Sequence, residues 1–314
     1  MKKIIVIFAA VILALMLFFG AGVSPLRMSM VPADASWVLH LDIEKYASSA
    51  TFKLLSDEAA PARMQRRAGK FFEKFRIDPM KDLRTITVYG KGEPNEEPLV
   101  AISGNFDKAY LLSLLKTESS QKEIPYGKHT IYNWDNDHFG VFATDSLIFI
   151  SQREENIKSA LDAMGGKIKN ISSSPLVARL NKESPNAIVL AAATDISGLI
   201  GKHEGPVILS KMRTAAFSIA EIGEAVDMKL DIAAESAPVA KEMEQAFRGL
   251  IAIVNLQLSS TDVQAFTQSI NIALDGEKVR IDASYPIAKL VDLLKKHDAF
   301  PHISIEEFDP LSDF

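Results

Sequence analysis

The side chains able to do chemistry in this chain are dispersed. Its six histidines are His40, His129, His138, His203, His297 and His302, and none of them falls into an HExxH or comparable ligand spacing. The densest cluster is Asp135, Asp137 and His138, which could offer oxygen and nitrogen ligands to a cation. An Asp-Asn-Asp run between two strands is also ordinary turn chemistry, and the turn is the simpler reading. His203 and Glu204, in GKHEGP, have the types of an acid/base pair, but adjacent loop residues seldom point at one target. No GxSxG, GxxxxGK[ST] or GxGxxG stretch is present, so nucleophile elbows, phosphate loops and dinucleotide folds lose their usual markers. Cys is absent, which removes thiolate nucleophiles, thiolate zinc sites and disulfide frameworks together. No catalytic residue, metal or cofactor is implied.

Two patterns point instead to surfaces. Tyr132 and Trp134 share one face of a strand and could stack on a sugar or a peptide, although aromatics in a sheet commonly belong to the core. In the second half of the chain Val226, Met228, Leu230 and Ile232 alternate with Asp227, Lys229 and Asp231, and Ile270, Ile272 and Leu274 alternate with Ser269, Asn271 and Ala273. This period of two gives a sheet with one apolar face and one charged face. Lys278, Arg280 and Asp282 complete the charged face. The candidate binding residues are therefore Lys229 and Arg280 as cations, with Asp227, Asp231 and Asp282 beside them. The bland alternative is a one-sided antiparallel sheet that faces water.

The elements that must position these residues read as two similar series. Trp37 to Tyr46, WVLHLDIEKY, is an apolar run that changes to helical spacing at Asp42-Ile43, and IVLAAATDISGL repeats that change at Asp195-Ile196. After the first junction come a helix from Glu44 to Ser56 and a helix from about Ala62 to Arg76. The second helix has Met64, Ala68, Phe71, Phe72 and Phe75 on one face and Arg63, Arg66, Arg67, Lys70 and Lys74 on the other. Paired strands at Leu83–Gly90 and Pro98–Gly104 follow, then a helix capped by Asn105. A meander over His129–Trp134, His138–Thr144 and Leu147–Ser151 leads to a helix with Ser151 and Glu154 at capping-box spacing, stopped by Gly165-Gly166. After the second junction come long strands at Arg213–Glu221 and Ala225–Ala234 and a helix at Pro238–Val254. A hairpin turning at Asp275-Gly276 and a closing helix at Pro286–Lys296 complete the series. The expected fold class is α+β, with two related units of antiparallel sheet carrying helices on a face, at 36–166 and 174–296. An acidic tail occupies 297–314.

The ends of the chain bear on location. Lys2 and Lys3 precede an unbroken apolar run from Ile4 to Phe19, followed by small residues to Gly22. Residues 1–22 thus read as a signal peptide, or as an uncleaved anchor of about 20 residues, with 23–35 as a tether. Either form keeps the positive N-terminus cytoplasmic and translocates the rest. The absence of Cys excludes lipidation at that point. The net charge of −5 becomes −5 − 2 = −7 without the two lysines, which disfavours nonspecific nucleic-acid binding.

VPADASWVLHLDIEKYASS, FRIDPMKDLRTITVYG, YGKHTIYNW and ENIKSALDAMGGK together resemble uncharacterised secreted proteins of planctomycete-type bacteria. The resemblance runs through the chain beyond residue 22 and implies export and a two-unit α+β architecture. It assigns no activity. The expected function is a non-enzymatic, extracytoplasmic binding or structural protein of the envelope, whose partner is an unidentified envelope protein or polymer. The membrane would be touched only through an uncleaved N-terminal segment. Two competing classes are an extracytoplasmic hydrolase with dispersed acidic residues and a periplasmic chaperone or inhibitor working through exposed apolar surface.

Overall fold

The protein is described from a computed structural model, which covers residues 28–56, 69, 72–92, 97–117, 121–134, 137–174, 176–178, 182, 184–194, 196, 208–257 and 260–296. Asp135, Asp195, His203, Glu204, the basic residues Arg63, Arg66, Arg67 and Lys70, the N-terminal apolar run and the tail after Lys296 lie outside the described residues.

Twelve strands form one sheet, and every pairing in it is antiparallel. In chain order they are β1 Trp37–Asp42, β2 Leu83–Gly90, β3 Leu99–Gly104, β4 Lys122–Tyr126, β5 His129–Trp134, β6 His138–Thr144, β7 Leu147–Ser151, β8 Ala187–Ala193, β9 Met212–Ile222, β10 Ala225–Ala234, β11 Ile270–Asp275 and β12 Lys278–Pro286. Across the sheet they run β11-β12-β10-β9-β8-β1-β2-β3-β7-β6-β5-β4. The mixed helix and antiparallel sheet expected from the sequence is thus present, but the strands of both halves share one sheet. The join is β1 against β8, where Trp37 to Leu41 pair with Ala193 to Val189.

Seven helices are complete among the described residues. They are α1 Ile43–Ser48, α2 Ala50–Ser56, α3 Lys108–Leu115, α4 Glu154–Met164, α5 Ala237–Gln257, α6 Thr261–Gln268 and α7 Ile287–Lys296. Asp42 ends β1 and caps α1, its carboxylate accepting from Lys45 N at 3.3 Å, so the strand-to-helix switch sits where the sequence shows it. The expected helix over 44–56 is broken at Ser49, whose extended backbone ends α1 and whose hydroxyl accepts from Phe52 N in α2.

Two expected caps are made by other residues. Asp107, not Asn105, caps α3 by accepting from Tyr110 N, because the Asn105 side chain is engaged by Arg84 instead. The Ser151/Glu154 capping box does not form. Ser151 donates to Pro98 O and accepts from Asn156 Nδ2, so its hydroxyl ties α4 to the start of β3, and Arg153 stands at the N-cap without a side-chain capping bond.

The core covers both faces of the sheet where the two halves meet. Val38, Tyr89, Leu190, Ala192 and Ala216 point to one face, where they pack with Met28, Met30, Val31 and the α4 residues Ile157, Ala160 and Leu161. Their neighbours along the same strands, among them Leu41, Val189 and Ile219, point to the other face and pack with Ile287, Leu290, Val291 and Leu294 of α7. α5 extends that second layer through Ala240 and Met243, which meet Ile232, Ile272 and Val279. Burying each large side chain contributes roughly 1.5–3 kcal/mol. The α4 layer therefore stops short of β10, β12 and β11, and there the first face is open.

Candidate functional site

Side chains directly opposite one another along one cross-strand row lead from the core to this open region. Thr87, His40, Leu190, Ser218, Lys229, Asp282 and Asn271 occupy successive strands at matching register on one face. Thr87, His40, Leu190 and Ser218 are buried, Lys229 and Asp282 are half-buried, and Asn271 is exposed. A continuous sheet surface thus passes from apolar packing to a charged shelf.

The shelf is built as three cross-strand pairs between β10 and β12. Asp227 lies opposite Ser284, Lys229 opposite Asp282, and Asp231 opposite Arg280. The Ser284 hydroxyl donates to Asp227 Oδ1 at 2.6 Å, and Arg280 Nε donates to Asp231 Oδ1 at 3.0 Å. Antiparallel pairing puts opposite side chains about 5 Å apart, close enough for opposite charges to engage directly. Arg280 and Asp231 hold each other, and the Asp231 side chain is only 11% exposed. Reversing the charge of Arg280 would set a second carboxylate against a nearly buried one, so its charge cannot be changed without disturbing the fold. Arg280 is thus a cation of this face that is engaged by Asp231.

Three of the five sequence-derived residues, Asp227, Lys229 and Asp282, line one depression of about 260 Å3 together with Ser269, Asn271 and Ser284. Asp231 and Arg280 form their pair one step further along the same two strands. The depression brings together two carboxylates, an ammonium, two hydroxyls and an amide, a set that both donates to and accepts from a polar ligand. Ser269 and Asn271 were legible as members of the polar face from their alternation with Ile270 and Ile272. Ser284 was hidden because its significance lies in facing Asp227 from another strand.

A second cleft, of about 180 Å3, had no sequence marker. Pro32, Tyr89, Lys91, Glu97, Arg153 and Asn156 line it, drawn from segments more than 50 residues apart. Glu97 has a left-handed backbone, φ 46°, unusual for a residue with a side chain. Its carboxylate pairs with Arg153 and its carbonyl accepts from Asn156 Nδ2 at 2.9 Å, so the start of α4 holds Glu97. The Tyr89 hydroxyl donates to Met30 O at 2.9 Å, and burial raises its pKa far above the usual phenol value. These bonds are satisfied within the chain and serve packing.

Trp134, the described residue of the aromatic pair that is buried, belongs to the core. It stacks on the His138 ring at 6.0 Å and lies over Gly140 of the neighbouring strand. Among the described residues no three His, Asp or Glu side chains converge to hold a metal ion. Among the same residues no helix is long and apolar enough to cross a membrane.

No family model matches the chain, and no curated protein matches it. Among solved structures it is similar to TP0453. Crystal form I of that protein superposes with a TM-score of 0.48 at 9% identity, covering 88% of this chain and 99% of that one. Crystal form III gives 0.46 at 10% identity over 87% and 98%, and crystal form IV gives 0.47 at 9% over 85% and 95%. At this level of likeness no residue role passes from one protein to the other.

Proposed function

We propose that this chain is an exported, non-enzymatic binding protein of the cell envelope, and that the open polar shelf on β10, β12 and β11 holds its ligand. The observation that carries the reading is the depression lined by Asp227, Lys229, Ser269, Asn271, Asp282 and Ser284. Export rests on Lys2, Lys3 and the apolar run after them, and its forms are a periplasmic or secreted protein or one held at the inner membrane by that segment.

The reading includes an internal duplication. Its support is the order of strands on either side of the β1/β8 join. One half runs β1-β2-β3-β7-β6 outward, and the other runs β8-β9-β10-β12-β11. In each, a lead strand and a hairpin are followed by a helix, and a later hairpin returns so that its second strand pairs with the third. β4 and β5 extend only the first half. The second half keeps the shorter sheet and leaves its face open.

The test fills the depression without touching the Asp231–Arg280 pair. Asn271 and Ser284 are both exposed, so replacing each with Arg should preserve the fold while occupying the space and opposing Asp227 and Asp282. Affinity capture from envelope extract with the full chain should retain a partner that the Asn271→Arg, Ser284→Arg variant loses. If the variant captures everything the unaltered chain does, the shelf is only hydrated surface.

A further inference from the structure

The charged shelf is a ladder with unequal rungs. Across β10 and β12, Arg280 faces Asp231 and Lys229 faces Asp282, so each cation has a carboxylate opposite it. Asp227 faces Ser284 instead. Two cations and three carboxylates leave these three rungs with a net charge of 2 − 3 = −1. Asp227 is half-buried and its Oδ1 accepts from the Ser284 hydroxyl, and among the described residues nothing else engages its carboxylate.

The hydroxyl protons around Asp227 are already committed. Ser284 donates to Asp227 at 2.6 Å, and Ser269, just before β11 and in line with Ser284, donates to Phe266 O at 2.7 Å. A hydroxyl carries a single proton, so both turn only lone pairs to the depression, beside the second oxygen of Asp227. This corner accepts hydrogen bonds and carries negative charge. An ammonium is its complement, with three donors, no acceptor and a positive charge.

We propose that the shelf binds an amino sugar, its primary ammonium held by Asp227, Ser269 and Ser284 and its hydroxyls turned to Asn271, Lys229 and Asp282. The proposal rests on the shelf being the ligand site. A lysine of a partner protein brings the same ammonium on four methylenes, which favour an apolar wall. Of the residues lining the depression only Met228 and Ala283 are apolar, and both pack in the core of the opposite face. A sugar instead offers hydroxyls, which suit the amide and the charged pair beyond the corner. A bare divalent cation fits less well, since it gathers six or more oxygens and Asp227 is the only carboxylate here that faces no cation across the ladder.

Saturation-transfer NMR on the full chain tests the proposal by comparing D-glucosamine with N-acetylglucosamine, which keeps the ring and loses the charge. Glucosamine should bind about tenfold more tightly, the worth of one charge-assisted hydrogen bond. Asp227→Asn keeps the shape and an acceptor for Ser284, and should remove that preference. Asp275→Asn, at an exposed carboxylate of β11 outside the depression, should leave it unchanged. Ser284→Lys, which sets a cation against Asp227, should abolish glucosamine binding without lowering the thermal midpoint. Equal affinity for the two sugars, or a preference that survives Asp227→Asn, would overturn the proposal. Tighter binding of Nα-acetyl-lysine amide than of glucosamine would overturn it in favour of a protein partner. In both cases an envelope partner lost by the Asn271→Arg, Ser284→Arg variant would still keep the shelf as the site. Capture unchanged by that variant would remove the shelf and the amino sugar together.

Discussion

Glu221, at the end of β9, closes its carboxylate on the backbone of Thr51. Oε1 accepts from Thr51 N at 2.8 Å and Oε2 from Ala50 N at 2.9 Å. A helix leaves its first N–H groups without intrahelical partners. Those of α2 are met by a side chain 170 residues later, which fixes a helix of the first half to a strand of the second. Glu221→Ala should lower the free energy of unfolding by about 1 kcal/mol, the usual worth of such a cap. Glu221→Gln, which keeps one acceptor, should lose less. Urea midpoints read at constant m-value check both, and a Glu221→Ala midpoint equal to the unaltered protein would show that the bonds contribute nothing.

His40 makes stability depend on pH. Burial, and then the charge of Lys45, lower its pKa from 6.5 to about 4, while its Nδ1 shares a hydrogen bond of 2.7 Å with Thr87 Oγ1. The unfolded chain takes up a proton near pH 6.5 and the folded chain resists it until about pH 4. Stability from this group is therefore complete above pH 6.5 and is lost as pH falls towards 4, by roughly 3 kcal/mol in all. Unfolding curves between pH 7 and 4 should show this slope, and His40→Gln should flatten it by about one proton.

Arg248 guards an open edge. Among the described residues β11 pairs with β12 alone and so forms an edge of the sheet. Arg248 reaches from α5 to donate to Ile272 O at 2.8 Å and is steadied by Glu244 at 2.7 Å. Arg248→Ala should leave the monomer folded and increase concentration-dependent association, measurable by light scattering. An unchanged scattering profile would mean that the edge needs no such guard.

Gly140 is required by Trp134. A Cβ at position 140 would lie 2.9 Å from the indole, closer than atoms pack. Gly140→Ala should cost about 1–3 kcal/mol, the range for overpacking a filled core. Trp134→Phe in the same chain should recover part of that loss in thermal unfolding, since the smaller ring leaves room.

Export has a direct readout. A reporter fused after Gly22 should be translocated, and mass spectrometry should find either an N-terminus near Val23 or an intact Met1. Retention of the fusion in the cytoplasm would remove the envelope from the functional proposal.

The sequence by itself determined what depends on short range. The period-two alternation of Val226 to Ile232 is the alternation of the sheet, the Asp42 switch is a real cap, and Asp275-Gly276 is a turn in which Gly276 takes φ 58°. Strand direction, helix spacing and turn chemistry act over a few residues, so they are written locally. Tertiary structure decided what depends on which strand lies beside which. Nothing local in Trp37–Leu41 says that it pairs with β8 and joins the halves into one sheet. Nothing local in Arg280 says that a nearly buried Asp231 stands opposite and pairs with it. The polar face was legible as a face, but its open extent was not, because that depends on where the α4 layer ends. Ser151 and Asn105 had the types and spacing of caps, yet each side chain is held elsewhere, by Pro98 O and Arg84, through contacts that only the folded chain creates.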